Sequence, residues 1–175
     1  LVCRLPGAIL LALGLLGLTA FAPRQAAEPL PLFDAHIHYS SDAWSVYDVD
    51  QALAILDRAN VRVALVSSTP DDGTLRLFDI APDRIVPVLR PYRQSGELST
   101  WHQDPTVVPY LEQRLARPIY RGIGEFHLSG SDAASPVVRQ VAELARRHGL
   151  FLHCHCDAAA AEILVGLVPG GRVLW

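Results

Sequence analysis

Three short segments of the sequence each place two metal-ligating residue types two positions apart. The pairs are His36 and His38, Glu125 and His127, and His153 and His155. Alternate residues of a β-strand project from the same face, so both side chains of a pair can point at one place. Imidazole and carboxylate groups are ligands that Zn²⁺, Mn²⁺ and Fe²⁺ favour in proteins. The spacing therefore predicts a divalent metal site, with zinc as the first candidate and manganese or iron as alternatives.

The repetition of this spacing matters more than any single pair. One His-x-His segment is equally compatible with two histidines packed in a core. Burying several polar pairs within apolar strands is costly unless hydrogen bonds or a bound ion satisfy them. Three such pairs on three apolar segments therefore favour a metal centre over a metal-free, histidine-rich interior.

The segments that carry the pairs belong to a regular alternation of strand-like and helix-like stretches. Apolar strands are predicted over residues 30–39, 62–68, 85–89, 122–128, 150–156 and 172–175. Two dipeptides, each a capping residue followed by proline, are predicted to begin helices: Asp104-Pro105 and Ser135-Pro136. Gly149 is predicted to end the second of these helices. Apolar strands joined by short connections and helices predict an α/β fold, with a parallel sheet covered on both faces.

Two architectures fit these five and a half strand–helix units. A doubly wound sheet can close with six strands, whereas a (β/α)₈ TIM barrel needs eight strands and about 250 residues. In both architectures functional side chains gather at the carboxyl ends of the strands, which is where the three pairs lie. Composition and periodicity do not choose between the two.

The composition narrows the function classes. The chain has 175 residues, of which half are hydrophobic, and a net charge of −3, so general disorder is excluded. All 15 basic residues are arginine, which excludes lysine Schiff-base chemistry and a carbamylated-lysine metal bridge within this sequence. The acidic balance argues against a nucleic-acid partner, and we expect a small-molecule substrate.

The motif DAHIH at 34–38, the motif GIGE at 122–125 and the histidine near the end of the fifth strand resemble the amidohydrolase superfamily. The likeness is to its amidohydrolase-related branch of metal-dependent hydrolases, and it extends over about residues 31–175. The resemblance implies a (β/α)₈ barrel, present here in part, with one or two divalent metals at the mouth. It also implies that a metal-activated water cleaves an amide, lactone or ester bond.

The resemblance also assigns roles to individual residues. His36 and His38 correspond to the ligands of the first strand and His155 to the ligand of the fifth, with His153 as a competitor one layer deeper. Glu125 stands where other branches carry a bridging glutamate or a carbamylated lysine. The family's strand-six histidine and strand-eight aspartate, the usual general base, are expected beyond residue 175. Three alternatives stay open: a decarboxylase of the same branch, a TatD-like nuclease, and an exported metal-binding barrel without activity.

A few other residues carry weaker expectations. Arg90, at the end of the third strand, either binds a substrate carboxylate through its fork of donors or lies on the surface. His127 either contacts substrate, binds a second metal or pairs within its loop. The loop with Trp101 and His102 is a candidate lid. The cysteines at 154 and 156 alternate with the histidines and are expected to face the helices.

The N-terminus has the pattern of a secretory signal. Arg4 precedes an apolar run over residues 7–22, followed by a short polar, alanine-containing segment. We therefore predict a signal peptide at 1–27, a domain at 28–175 and export to the periplasm or the medium. Membrane contact is then confined to this segment, and an uncleaved anchor is the alternative.

Export predicts a mature chain that begins near Glu28, because signal cleavage removes the apolar run. N-terminal sequencing of the protein recovered outside the cytoplasm measures this directly. Recovery of an intact 7–22 run in purified membranes would show an anchor instead.

Overall fold

The structure is a computed structural model that describes residues 30–175, so the predicted signal peptide lies outside the described residues. Six strands are present: β1 Leu32–Ile37, β2 Val61–Val66, β3 Ile85–Leu89, β4 Gly122–Leu128, β5 Phe151–Cys156 and β6 Val173–Leu174. Five α-helices alternate with them: α1 Val49–Arg58, α2 Asp72–Ile80, α3 Val107–Leu115, α4 Pro136–His148 and α5 Ala158–Leu167. Two short 3₁₀ turns, Ser95–Glu97 and Trp101–Gln103, lie between β3 and α3.

The six strands form one parallel sheet in the order β1-β2-β3-β4-β5-β6. Each strand therefore lies beside the strands that precede and follow it in the chain. A doubly wound sheet reverses its strand order part-way, and this sheet does not. The predicted α/β class with a parallel sheet is confirmed.

The sheet is strongly curled. Neighbouring strands lie about 4.8 Å apart, so β1 and β5 of a flat sheet would be separated by roughly 19 Å. The ring centroids of His36 on β1 and His153 on β5 are nevertheless only 5.1 Å apart. Side chains of these two strands can meet only across the hollow of a curved sheet, and the described residues are therefore consistent with part of a barrel-like fold.

Local capping explains where the helices begin and end. The Ser135 side chain accepts a hydrogen bond from the backbone of Val138, and Pro136 occupies the first helical position of α4. Gly149 follows α4 with a φ of 66°, a left-handed conformation that glycine adopts without steric cost. Both predicted ends of α4 are thus confirmed.

The predicted start of α3 is wrong. The helix begins at Val107, and Thr106 rather than Asp104 precedes it. The Asp104 carboxylate instead accepts hydrogen bonds from the backbone and hydroxyl of Thr106 and from the guanidinium of Arg93. Because an arginine from the preceding loop binds this carboxylate, Asp104 organises the loop and the helix starts later.

The main core lies between the sheet and helices α3 to α5. Its buried side chains include Leu89, Trp101, Leu111, Phe126, Leu144, Leu152, Cys154 and Leu164. Cys154 lies in this cluster, as expected for a helix-facing side chain, whereas Cys156 packs against the cluster and also lines two cavities beside His155. A smaller cluster lies beneath α1 and α2. Among residues 30–175, no helix is both long and apolar enough to cross a membrane.

Strand β4 departs from simple alternation. Gly124 pairs with His153 and Phe126 with Cys154, so Glu125 is an extra residue without a partner on β5. Strict alternation predicts Ile123 on the same face as Glu125, but Ile123 is buried in the helix-side core together with Phe126. The bulge re-aims the strand and sends Glu125 to the inner face.

Asp71, just before α2, is a fully buried carboxylate whose surroundings satisfy it only in part. One carboxylate oxygen accepts a hydrogen bond from the Tyr120 hydroxyl and lies 3.5 Å from an Arg114 nitrogen. The other oxygen has no partner among the described residues. Burial raises the pKa of Asp71 to about 6, and the hydrogen bond from Tyr120 only partly offsets this.

This raised pKa gives the stability a specific pH dependence. The folded protein keeps a proton on Asp71 up to about pH 6, whereas the unfolded chain releases it near pH 3.8. The stabilisation that protonated Asp71 contributes is therefore complete below its pKa in the unfolded chain, 3.8, and is lost as the pH rises through its folded-state pKa of about 6. We expect Asp71→Asn to remove the decline, which is at most about 3 kcal/mol. Urea unfolding of both proteins between pH 4 and about pH 7 measures the difference between their free energies of unfolding. If that difference does not change with pH, Asp71 is already ionised in the folded protein and the prediction is wrong.

Candidate metal centre

Three strands bring four of the predicted site residues together at their carboxyl ends. His36 lies near the end of β1 and His38 directly after it, while Glu125 comes from β4 and His155 from β5. The Nε2 atoms of His36 and His38 lie 3.2 and 3.1 Å from Glu125 Oε2, and 2.9 Å from each other. His155 Nδ1 lies 3.4 Å from Glu125 Oε1. The Glu125 carboxylate thus lies within reach of all three histidines, but the four side chains do not converge on one point, because His155 groups with Glu125 and His127 rather than with His36 and His38.

The first three ligand atoms are spaced as ligands of one ion would be. Zinc bonds to nitrogen and oxygen are about 2.0–2.1 Å long, so tetrahedral ligand atoms lie about 3.3 Å apart. The separations among His36, His38 and Glu125 are 2.9 to 3.2 Å. These three residues therefore fit a small divalent cation with little rearrangement.

The tautomer of His38 strengthens this fit. Its Nδ1 lies within hydrogen-bond distance of the Ser67 carbonyl oxygen, which can only accept, so Nδ1 carries the proton. The Nε2 of a neutral His38 then turns a lone pair toward the Glu125 carboxylate, another acceptor. Two acceptors at 3.1 Å repel unless a positive charge lies with them, either a second proton on His38 or a metal ion. A carbonyl partner for the outer nitrogen is also the usual arrangement of a metal-binding histidine.

Glu125 is charged despite being only 3% exposed. Burial by itself would raise its pKa, but when His38 carries the second proton described above, its hydrogen bond and the charges of His36 and Arg90 outweigh burial. Together they lower the pKa of Glu125 to about 2. The carboxylate is thus held ionised, the form in which it binds a cation.

The backbone of Gly124 is part of this construction. Its φ is 138°, and a Cβ added there would lie 2.1 Å from the His153 carbonyl oxygen. No other residue fits this contact without moving β4 away from β5. Gly124 therefore permits the bulge that presents Glu125.

A second group of ligand atoms shares the same carboxylate. Glu125, His127 and His155 offer one atom each within 4.8 Å of one another, as do His36, His38 and Glu125 in the first group. The rings of His127 and His155 stack with centroids 4.5 Å apart. Burial lowers the pKa of His127, which favours its neutral, ligating form. Glu125 can thus serve either one ion or two.

His153 lies deeper in the sheet and belongs to neither group. It is buried, its Nδ1 has no hydrogen-bond partner among the described residues, and burial lowers its pKa to about 4. Its ring instead contacts His36 edge-on. Of the two histidines considered for the fifth strand, His155 is the one beside Glu125.

Arg90 is not a surface residue. It is 7% exposed and donates to the Glu125 backbone oxygen at 3.0 Å, to its carboxylate at 3.2 Å and to Thr69 Oγ1 at 3.3 Å. The alternative expectation, that Arg90 binds a substrate carboxylate, is unsupported because Glu125 already occupies its guanidinium. Arg90 orients Glu125 instead.

Two contacting residues were not anticipated from the sequence. Ser67 fixes the tautomer of His38 through its carbonyl, and the Tyr92 hydroxyl accepts from the backbone of His127. Because Ser67, which immediately follows β2, acts through its backbone carbonyl, the residue type at that position offered no signal. Tyr92 follows β3 within a mixed segment and offered none.

Two cavities adjoin the site. One of about 320 Å³ is lined by His36, Glu125, His153 and Trp175, among others. The other, of about 490 Å³, is lined by His127 and His155 on one side and by the loop before α3 on the other. A larger cavity lies at the opposite ends of the strands, beside Tyr120 and Phe151, away from the ligand atoms.

No protein-family model matches this chain, and comparison with curated proteins likewise finds no match. The described residues contain two overlapping groups of ligands able to hold a divalent ion.

The geometry predicts metal uptake that depends on His36. After chelation and dialysis, the wild-type protein should take up at least one equivalent of zinc, measured by atomic emission. His36→Ala should lower the bound zinc severalfold, because one of three ligands is lost. His148→Ala, at the exposed end of α4, is the control and should bind as the wild type does. Normal occupancy in His36→Ala would remove His36 from the ligand set.

Proposed function

We propose that this protein is a metal-dependent hydrolase of the amidohydrolase type, acting on an amide, lactone or ester bond. The observation that carries the proposal is the buried carboxylate of Glu125 between the Nε2 atoms of His36 and His38. Such a set of neutral imidazoles and one carboxylate is the common ligand chemistry of catalytic zinc sites. Its place at the carboxyl ends of parallel strands, beside two open cavities, supports a catalytic role.

The residues of this chain would act by binding the ion and by keeping its ligands in the right charge state and orientation. A divalent ion bound there supplies Lewis-acid chemistry, polarising a carbonyl group and lowering the pKa of water toward about 7. His36, His38 and Glu125 would hold that ion. Ser67 keeps His38 in the ligating tautomer, and Arg90 keeps the Glu125 carboxylate ionised and aimed inward. The resemblance implies an aspartate as the proton acceptor for water, and that role is part of the proposal.

We also propose that the curled sheet is part of a (β/α)₈ barrel and that the protein is exported. The sequential strand order and the contact between β1 and β5 support the barrel. The apolar run at 7–22 supports export.

The proposal predicts zinc-dependent hydrolysis that requires the Glu125 charge. The full-length protein, stripped with chelator and reloaded with zinc, is assayed with an ester, a lactone and an N-acyl amino acid. We expect turnover of at least one substrate in the zinc form only. Glu125→Gln should lower kcat/KM by about 100-fold or more, equivalent to about 2.7 kcal/mol of transition-state stabilisation.

Glu143→Gln on the exposed face of α4 is the matched control, since it makes the same chemical change away from the site. Equal activity of the two variants would refute the role of Glu125. Zinc-dependent release of CO₂ without hydrolysis would favour the decarboxylase alternative, and cleavage of oligonucleotides would favour the nuclease.

A further inference from the structure

The cavity of about 490 Å³ lies at the carboxyl ends of β4 and β5, and we call it the mouth cavity. His127 and His155 form its inner side, next to Glu125. Its outer wall comes from two connecting segments, 90–106 after β3 and 129–135 after β4. These segments contribute Leu98, His102, Ser129 and Asp132. A molecule in the mouth cavity would therefore touch both the ligand histidines and the loop residues.

The outer wall is anchored to the sheet. Trp101 is fully buried, its indole N–H donates to the His127 backbone oxygen at 2.9 Å, and its ring packs on Phe126 at a centroid distance of 4.9 Å. His102 is 5% exposed, with Nε2 3.3 Å from Asp132 Oδ1. These contacts join the two loop segments to each other and to β4, so the cavity has a fixed shape.

The charges around the mouth cavity are one-sided. Two carboxylates line it, Asp132 and Asp157, whereas no arginine of the described chain does. The nearby arginines are already engaged. Arg90 binds Glu125, Arg93 binds the carboxylates of Glu97 and Asp104, and Arg139 donates to the Ala134 backbone oxygen. At the outer wall, away from the ligand histidines, an anionic group would therefore meet Asp132 with no guanidinium in the lining to offset its charge.

The two carboxylates are not equally available. Both oxygens of Asp157 accept backbone N–H groups, from Gly130 and Ala160, as part of the N-terminal cap of α5. Asp132 is about one-third exposed at its side chain and binds only side chains, those of Ser129 and His102. Asp132 is thus the carboxylate whose partly exposed oxygens can accept from a bound molecule without leaving their present partners.

We propose that the mouth cavity holds the part of the substrate next to the scissile bond, and that Asp132 selects a neutral or cationic group there over an anionic one. This assignment concerns the substrate of the proposed hydrolase and therefore rests on that proposed function. The apolar side chains of Leu98 and Leu128 in the same wall fit a group with an apolar body and an amine or hydroxyl end.

Three benzene derivatives of similar size test the charge preference without turnover: cationic benzylamine, neutral benzyl alcohol and anionic benzoate. Their dissociation constants are measured by ligand-observed NMR at low salt and about pH 7.5, on the full-length protein stripped of metal. We expect benzylamine to bind at least about threefold more tightly than benzyl alcohol, a ratio in the range of partly exposed ion pairs. Benzoate should bind more weakly than both.

Asp132→Asn should abolish the advantage of benzylamine and leave benzyl alcohol within twofold of the wild type. Asp83→Asn is the matched control, because it removes one exposed carboxylate just before β3, at the other end of the sheet. Ser99→Trp narrows the cavity without changing charge and should weaken all three probes. Benzoate binding as tightly as benzylamine, or an Asp132→Asn protein that behaves like Asp83→Asn, would overturn the inference.

Zinc uptake is measured on the same preparations. If the wild-type protein takes up zinc normally but shows no preference for benzylamine over benzoate, the assignment of the mouth cavity is wrong and the proposed hydrolase is not affected. Selective binding without zinc uptake overturns the proposed hydrolase and leaves a cation-preferring pocket.

Discussion

A buried carboxylate must be surrounded by positive charge or hydrogen-bond donors, and the Glu125 side chain imposes this requirement on much of the fold. Removing an ionised group from water without such partners costs several kcal/mol. Arg90 from the end of β3 and two imidazoles from β1 meet the requirement on one oxygen, and His155 lies beside the other. Four of the six strands thus contribute to, or are positioned by, one carboxylate.

The arginine and the histidines do different work around this group. Arg90 also binds the backbone oxygen of Glu125, so it fixes the strand as well as the side chain. The guanidinium remains charged at any ordinary pH, whereas the imidazoles can exchange a proton for a metal ion. The Oε2 atom of Glu125 therefore receives permanent compensation from Arg90 and exchangeable compensation from the two imidazoles.

Much of this arrangement was predictable from local patterns. Period-two spacing placed His36 with His38, and the alternating strands and helices indicated a parallel sheet whose carboxyl ends meet. The extra residue at Glu125 was not predictable, because a bulge is defined by the register with β5 rather than by β4 alone. The same holds for Arg90, whose partner is 35 residues away in sequence, and for Asp104, which Arg93 draws away from its expected capping role.

The contact across the hollow of the sheet has a mechanical consequence. β1 is the edge strand, hydrogen-bonded within the described sheet only to β2, yet it supplies two of the three ligands of the first group. An ion bound by all three ligands would link β1 to β4, which are not neighbours in the sheet. The free energy of ion binding would then oppose uncurling of the sheet, since only the curled form presents all three ligands. Amide hydrogens of β1 would accordingly exchange with solvent more slowly when the ion is bound.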